Sequence, residues 1–341
     1  MLLRINHETR LTYSEPVSET IFEVRMAPQS DEDQTVLGYR LRISPRGPVT
    51  TFRDGFGNRV DLFNLTAPYR ELVLHATSYV RTHRRLGVAG LAGVPWLGRG
   101  PLPPEAMEYL LPSRQVAHTP EVDAFVRGLP EPQGTLADVT RMVMEAVDRR
   151  MAYQQKATTA LTSVEEALLL GRGVCQDFAH LYIAACRGLG LPARYVSGYV
   201  HQTGEMATHA WCQVWAGEPS GWVDVDPTHG VYPEDDHVVT AIGRDYADVP
   251  PNRGIFRGQA EESIHVMVTV EPVQRIPPQW QEWGTPLPLN DGANVATSGE
   301  GSARSAPRRG KTLGLGHRPD MPPGLRQQQG QQQQQSQSLE A

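Results

Sequence analysis

The sequence predicts an α+β protein in which a β-rich N-terminal region precedes a core of helices and strands. Three patterns lead to this prediction. Apolar and polar residues alternate over 1–85, helical runs with capping signals fill 116–190, and alternating runs return after residue 190. A chain of 341 residues has room for about two domains of ordinary size.

The N-terminal region, residues 1–85, has the period of two that is typical of half-buried strands. The run GYRLRIS places Tyr39, Leu41 and Ile43 on one face of a strand, while arginines occupy the other face. The run DGFGN, residues 54–58, is a strong turn signal between two such strands. Several short strands separated by turns indicate a small sandwich or sheet domain.

Residues 86–115 are rich in Gly and Pro, and we interpret them as a linker or loop region. The core that follows, 116–274, begins with helices, two of which start at capping boxes headed by Thr135 and Ser163. After the last helix the sequence predicts three strands, ARYVSGYV, THAWCQVW and GWVDV. A final alternating run, 264–272, is expected to add one more strand to the core.

The C-terminal segment, residues 275–341, consists largely of Pro, Gly, Ser and Gln and contains the run QQQGQQQQQSQS. A segment of this composition buries too little apolar surface to offset the entropy of ordering, so we predict that it is disordered.

The bulk composition excludes several classes of protein. A net charge of −6 does not favour nucleic acid binding, for which a basic surface is expected. Three cysteines in a long chain do not form a disulfide framework. Neither a signal-peptide pattern nor a run of about 18 apolar residues occurs, so we expect a cytoplasmic protein that binds no membrane.

Cys175 stands out because it follows the turn GRG and begins an apolar helical run. A lone cysteine is more often a packing residue than a nucleophile. A helix N-terminus, however, stabilises a thiolate, and its backbone N–H groups can bind an oxyanion. Cys186, near the end of the same helix, and Cys212, in a strand, are interpreted as packing residues.

A thiol nucleophile needs a base and a group that orients the base. The strand THAWCQVW offers His209, and the next strand, GWVDV, leads through Asp224 to Asp226. The two aspartates share a face of the strand, so the pattern alone leaves the choice between them open. Other histidines are weaker candidates because one lies on the helix and three in loops: His180, His201, His229 and His237. The sequence has no paired CxxC or helical HxxxH motif for zinc and no Gly-rich phosphate loop.

Three stretches together resemble the transglutaminase-like superfamily, specifically its bacterial two-domain branch: GRGVCQDFAHLYIAACRGLGLPARYVSGYV, THAWCQVW and GWVDVDPTHG. The downstream GRDYADVPPNRGIFRG and the N-terminal RISPRGPVTTFRDGFGNRV are also similar to that branch. The resemblance extends over residues 1–272 and leaves out the Gln-rich tail. It implies a papain-like core, in which the nucleophile begins a buried helix that packs on an antiparallel sheet carrying the His and the Asp.

Carried onto this sequence, the resemblance implies that Cys175 is the nucleophile, His209 the base and Asp226 the residue that orients the base. Asp224 then falls on a position without a catalytic role. The backbone amide of Cys175 and one side chain, for which Tyr153 is a candidate, would stabilise the oxyanion. We expect no cofactor and no bound metal, including calcium, because no acidic loop has the spacing of calcium ligands.

The implied activity is cysteine-dependent acyl transfer or hydrolysis, through a thioester, on a glutamine side chain, a peptide or an isopeptide bond. The sequence does not separate hydrolysis from transfer, because the outcome depends on the access of water to the thioester. The alternative is a non-catalytic transglutaminase-like module that binds or assembles partners, and the presence of all three residue types argues against it. The identity of the substrate and the oligomeric state are left open.

Overall fold

The computed structural model describes residues 1–84, 87–96, 102–201, 208–281 and 325–329. Its N-terminal region consists of strands, as the alternating pattern predicted. These strands are β1 (Leu2–Val24), β2 (Gln34–Ser44), β3 (Val49–Arg53), β4 (Arg59–Leu65) and β5 (Tyr69–Thr82). β1 is 23 residues long and takes part in both halves of the sheet, because its first half pairs with β5 and its end pairs with β4.

The two halves of the N-terminal sheet fold around one apolar cluster. β1 changes register against β5 between Thr12 and Val17, where it passes from one half to the other. Leu11 before this point and Phe22 after it are both buried in the cluster, together with Leu72 of β5. Since alternate residues of a strand face opposite sides, the period of two decides which side chains enter this core.

The Gly- and Pro-rich region packs on the core. It contains the short helices α1 (Ala89–Ala92) and α2 (Pro104–Met107), followed by a single 3₁₀ turn. Leu91 is fully buried in the core cluster, and the ring of Tyr109 lies 5.0 Å from that of Trp222.

The core alternates helices and short strands before its main sheet. Its elements are α3 (Pro120–Arg127), α4 (Leu136–Arg150), β6 (Ala152–Tyr153), α5 (Val164–Leu170), β7 (Arg172–Gly173), α6 (Cys175–Leu189), β8 (Ala193–Val200), β9 (Thr208–Trp215), β10 (Trp222–Val225) and β11 (His237–Gly243). The capping boxes predicted at Thr135 and Ser163 are present at the starts of α4 and α5.

The main sheet of the core is antiparallel, with the strand order β10-β9-β8-β11. α6 packs against one face of this sheet, and its side chains from Phe178 to Cys186 share an apolar cluster with alternate residues of β8 and β9. The α+β fold class is therefore confirmed, with a helix that begins at Cys175 lying on an antiparallel sheet. None of the helices in the described residues is long and apolar enough to span a membrane.

The strands that follow the core sheet differ from the prediction. Residues 264–272 were expected to extend the core, within 116–274. Instead, β12 (Asn252–Arg257) and β13 (Glu262–Pro272) both pair antiparallel with β1 in the N-terminal sheet. An alternating pattern indicates a half-buried strand but carries no information about its partner, so sheet membership could not be read locally.

Part of the segment 275–341 is ordered, contrary to the prediction of disorder. α7 (Pro278–Gln281) buries Trp280 against Tyr79, with ring centroids 5.1 Å apart. β14 (Leu325–Gln329) pairs antiparallel with β12 through backbone hydrogen bonds, which do not require apolar side chains. Composition therefore missed both elements. Within the segment for which disorder was predicted, residues 282–324 and 330–341 lie outside the described residues.

The outer edge of the core sheet is covered by two side-chain amides from the N-terminal region. Gln34 donates to the carbonyl of Val239 and accepts from its N–H, both at 2.8 Å. Asn58 makes the same pair of hydrogen bonds with Ile242, also at 2.8 Å. These amides take the place of a neighbouring strand along β11, so the N-terminal sheet is joined to the core by directional contacts.

Candidate active site

The turn before α6 is shaped by its two glycines. Gly171 ends α5 in the left-handed conformation, with φ of 67°. Gly173 lies against Asp177, so that a Cβ there would be 2.3 Å from a carboxylate oxygen. That carboxylate caps α6 by accepting from the N–H of Val174 at 2.8 Å, and it also accepts from the hydroxyl of Thr158 at 2.6 Å. The start of α6 is therefore held in one place.

Cys175 is the first residue of α6 and is partly exposed, whereas Cys186 and Cys212 are fully buried. Burial raises the pKa of Cys186 to about 12 and that of Cys212 well above its ordinary value. The thiol of Cys212 donates to the carbonyl of Ala179 at 3.5 Å. Both buried cysteines are packing residues, as the sequence predicted. Of the three thiols, Cys175 alone combines a helix N-terminus with exposure to solvent.

His209 lies near the start of β9 and contacts both Cys175 and Asp226. Its Nε2 is 2.7 Å from Oδ2 of Asp226. Burial by itself would lower the pKa of His209, but the charge and hydrogen bond of Asp226, together with the nearby Cys175, raise it to about 9. The structure therefore brings together the cysteine, histidine and aspartate that the sequence singled out.

Asp226 is fully buried just beyond β10, where it forms an isolated bridge with Val231. Its Oδ1 accepts from the backbone N–H groups of Thr228 at 2.9 Å and His229 at 3.3 Å. Its Oδ2 lies 2.7 Å from Nδ1 of His229 and 3.5 Å from Nε2 of His237. Burial would raise the pKa of Asp226, but the surrounding imidazoles hold it well below its ordinary range. The result is an ionised carboxylate approached by three imidazole rings.

His229 and His237 were not recognised as part of this site from the sequence. His229 was expected to be exposed, and 39% of its side chain is, but the turn after Asp226 also folds its ring onto the carboxylate. His237 was expected in a loop, but it begins β11 and is buried, with Nδ1 2.7 Å from Asp236. The three-residue spacing from Asp226 was the signal for His229, while nothing local identifies His237. Ligand-capable atoms of His209, Asp226 and His229 lie within 4.8 Å of one another.

Asp224, the alternative candidate, has different partners. It forms a buried salt bridge with Arg84, and it accepts from Nε1 of Trp211 at 2.5 Å and from Nε2 of Gln213 at 3.1 Å. The ring of Trp211 is stacked beside that of His209, with centroids 6.1 Å apart. Asp224 therefore orients a neighbour of His209 and does not contact His209 through any described hydrogen bond.

Tyr153 lies beside the nucleophile turn, since β6 pairs with β7 through Tyr153 and Gly173. Its side chain is largely exposed, and its ring centroid is 6.3 Å from that of Phe178. Its proposed contact with an oxyanion stays a prediction.

The two remaining candidate histidines lie away from the Asp226 carboxylate. Burial lowers the pKa of His180 to about 4, and its Nε2 accepts from the backbone N–H of Tyr246 at 3.1 Å. His180 is therefore structural, as expected. His201, which was expected to be exposed, is partly buried, with Nδ1 3.0 Å from the carbonyl of Val270.

Two family models match the chain. The bacterial transglutaminase-like N-terminal region matches residues 3–81, and the transglutaminase-like superfamily matches residues 123–227. The second match includes Cys175, His209 and Asp226.

Several known proteins are similar to this chain. An uncharacterized protein of Mycobacterium tuberculosis is 35% identical over 291 residues, which are 80% of this chain and 93% of that protein. An uncharacterized protein of Mycobacterium leprae is 31% identical over 281 residues, which cover 79% of this chain and 98% of that one. A protein-glutamine gamma-glutamyltransferase of Pseudomonas aeruginosa is 38% identical over 97 residues, 24% of this chain and 14% of that protein.

Among solved structures, a candidate cysteine protease from Cytophaga hutchinsonii has a TM-score of 0.66 and 22% sequence identity. The match covers 81% of this chain and 93% of that one, and it shows a shared fold.

Proposed function

Because the chain belongs to the bacterial transglutaminase-like family, we propose that it is an enzyme that uses Cys175 to cleave or exchange an amide bond through a thioester. The observation that carries the proposal is the hydrogen bond between His209 and Asp226, with the Cys175 thiol close enough to His209 to raise its pKa and placed at the first residue of α6. A partly exposed thiol beside a base with an ionised partner is the arrangement that nucleophilic catalysis requires.

In the proposed reaction, the thiol proton of Cys175 passes to His209, either before substrate binds, as a resting ion pair, or during attack, and the sulfur attacks the carbonyl carbon of a carboxamide. The C–N bond then breaks, His209 gives its proton to the departing nitrogen, and ammonia or an amine leaves. Water or another amine attacks the resulting thioester and passes a proton to His209, and the thiolate is released. Asp226 keeps the imidazole oriented. The backbone N–H of Cys175, with Tyr153 as the candidate second donor, stabilises the oxyanion.

The first experiment tests whether Cys175 is an activated thiol. The folded protein is incubated with iodoacetamide at neutral pH, and the alkylated cysteine is identified by mass spectrometry. We expect rapid labelling of Cys175, no labelling of folded Cys175→Ala, and an unchanged rate in the matched control Cys186→Ala. Labelling of Cys186 or Cys212 in the folded protein as fast as Cys175 would refute the proposal, since both are fully buried.

The second experiment determines which reaction follows. Peptides that contain glutamine or an isopeptide bond are incubated with the protein, with and without a primary amine, and the products are weighed by mass spectrometry. A deamidated or cleaved product indicates hydrolysis, and an amine adduct indicates transfer. If the wild type and Cys175→Ala give the same products, the chain acts as a non-catalytic binding module instead.

A further inference from the structure

The sequence contains no motif with zinc-ligand spacing, yet the fold gathers three metal-binding donor atoms from β9 and from the turn after β10. Oδ2 of Asp226 lies 2.7 Å from Nε2 of His209 and 2.7 Å from Nδ1 of His229. All three atoms lie within 4.8 Å of one another. His209 and Asp226 are buried, while 39% of the His229 side chain is exposed, so an ion has a path to the cluster from solvent.

We propose that His209, Asp226 and His229 bind a divalent transition metal, with Zn²⁺ as the best match, and that binding switches the site off. Two imidazoles and one carboxylate are the ligand set of an open zinc site, in which water occupies the fourth position. Ligand atoms at about 2.1 Å from a tetrahedral ion lie about 3.4 Å apart, so the two nitrogen–oxygen distances need to open by only about 0.7 Å. That adjustment is within the reach of side-chain rotation.

The chemistry of binding explains the inhibition. The ion replaces the two N–H protons that now lie between Asp226 and the imidazoles, and those protons pass to solvent. With Nε2 of His209 bound to the metal, the neutral imidazole keeps its remaining proton on Nδ1, the nitrogen left to face Cys175. His209 then has no lone pair with which to accept the thiol proton. This consequence rests on the proposed function, whereas metal binding itself does not.

Metal binding is tested first in Cys175→Ala, because this variant removes the thiol as a competing ligand. Zn²⁺ is titrated against a chromophoric chelator, and Co²⁺ is used in parallel because its visible spectrum reports coordination geometry. We expect one ion per chain, bound in a four-coordinate site. In the Cys175→Ala background, the further substitution His229→Ala is expected to weaken Zn²⁺ binding roughly tenfold or more. The control substitution His118→Ala removes an exposed histidine elsewhere and should leave Zn²⁺ binding unchanged.

A second substitution, His229→Gln, keeps a hydrogen-bonding group beside Asp226, and circular dichroism checks that each variant is folded. If the single variant Cys175→Ala does not bind one Zn²⁺ per chain, the proposal is overturned, because the thiol would then be the ligand. Equal affinities with and without His229 would overturn it as well. These outcomes do not depend on whether any amide is turned over, so they are separate from a failure of the proposed enzyme function.

Inhibition is then measured in the chain with its thiol intact. We expect Zn²⁺ to slow alkylation of Cys175 by iodoacetamide and a chelator to restore it. In His229→Ala the Zn²⁺ concentration for half-inhibition should rise by the same factor as the dissociation constant. Inhibition at an unchanged concentration would show that the ion acts at the thiol and not at the proposed cluster.

Discussion

The substitution Asp226→Asn removes the charge that keeps His209 protonated while preserving the size of the side chain. In the wild type the pKa of His209 rises from its ordinary 6.5 to about 9. Burial opposes this rise, Asp226 is its main cause, and Cys175 adds to it. At 1.36 kcal/mol per pKa unit, the rise favours the imidazolium by about 3 kcal/mol. With asparagine at this position the charge of Asp226 is lost and burial is opposed only by Cys175, so the pKa of His209 falls and less of the ring is protonated at pH 7.

The measurable consequence is the reactivity of Cys175. A thiolate next to an imidazolium is stabilised, and a thiolate next to a neutral ring is not. Loss of about 3 kcal/mol lowers the population of the ion pair at pH 7 on the order of 100-fold. We therefore expect the alkylation rate at pH 7 to fall by about that factor.

The assay is the rate of iodoacetamide labelling from pH 5 to pH 10, with NMR of the His209 ring as a direct measure of its pKa. Asp236→Asn is the matched control, because Asp236 hydrogen-bonds His237 and not His209. A profile of Asp226→Asn that overlays the wild type would refute the argument that this carboxylate sets the protonation of His209.

Three further predictions concern the charge of His209, the edge of β11 and the turn before α6. The pKa of His209 is higher in the folded protein than its ordinary 6.5, so this stabilisation is complete below pH 6.5 and is lost as the pH rises through about 9. Over that pH range the free energy of unfolding of the wild type, measured by urea denaturation, should fall by up to about 3 kcal/mol. This fall should be absent from Asp226→Asn. Asn58→Leu leaves a backbone N–H and carbonyl of β11 unpaired and should lower the free energy of unfolding by about 1–3 kcal/mol, and an unchanged urea midpoint would contradict this. Gly173→Ala places a Cβ 2.3 Å from a carboxylate oxygen of Asp177 and should reduce both the stability of the protein and the reactivity of the Cys175 thiol. The control Gly93→Ala, whose Cβ would have no atom within 4 Å, should change neither. Equal losses in the two variants would refute the steric argument.

The parts of the site that could be predicted are those encoded by local sequence. The turn at Cys175, the capping boxes of α4 and α5, and the strand that carries His209 all follow from residues close to one another in the chain. The choice of Asp226 over Asp224 needed the family resemblance, since a period of two places both on one face. The structure distinguishes them by their partners: Asp226 lies next to His209, and Asp224 lies next to Arg84.

The parts that could not be predicted depend on contacts between distant residues. His237 reaches Asp226 only because β11 lies beside β8, and no spacing in the sequence specifies that pairing. The pairing of β12 and β13 with β1 joins residues more than 200 positions apart. Trp280 is one of a few apolar residues in a largely polar segment, so composition averaged over the segment concealed it.

These long-range contacts make the N-terminal sheet part of the site. Arg84, just beyond β5, holds the buried carboxylate of Asp224, which in turn holds Trp211 beside His209. Gln34 covers the edge of β11, the strand in which His237 lies. A core expressed without residues 1–85 would lose the salt-bridge partner of Asp224, and removing one partner of a buried pair costs roughly 3–5 kcal/mol. Because that is comparable to the whole stability of a small domain, the two sheets are expected to unfold as one unit.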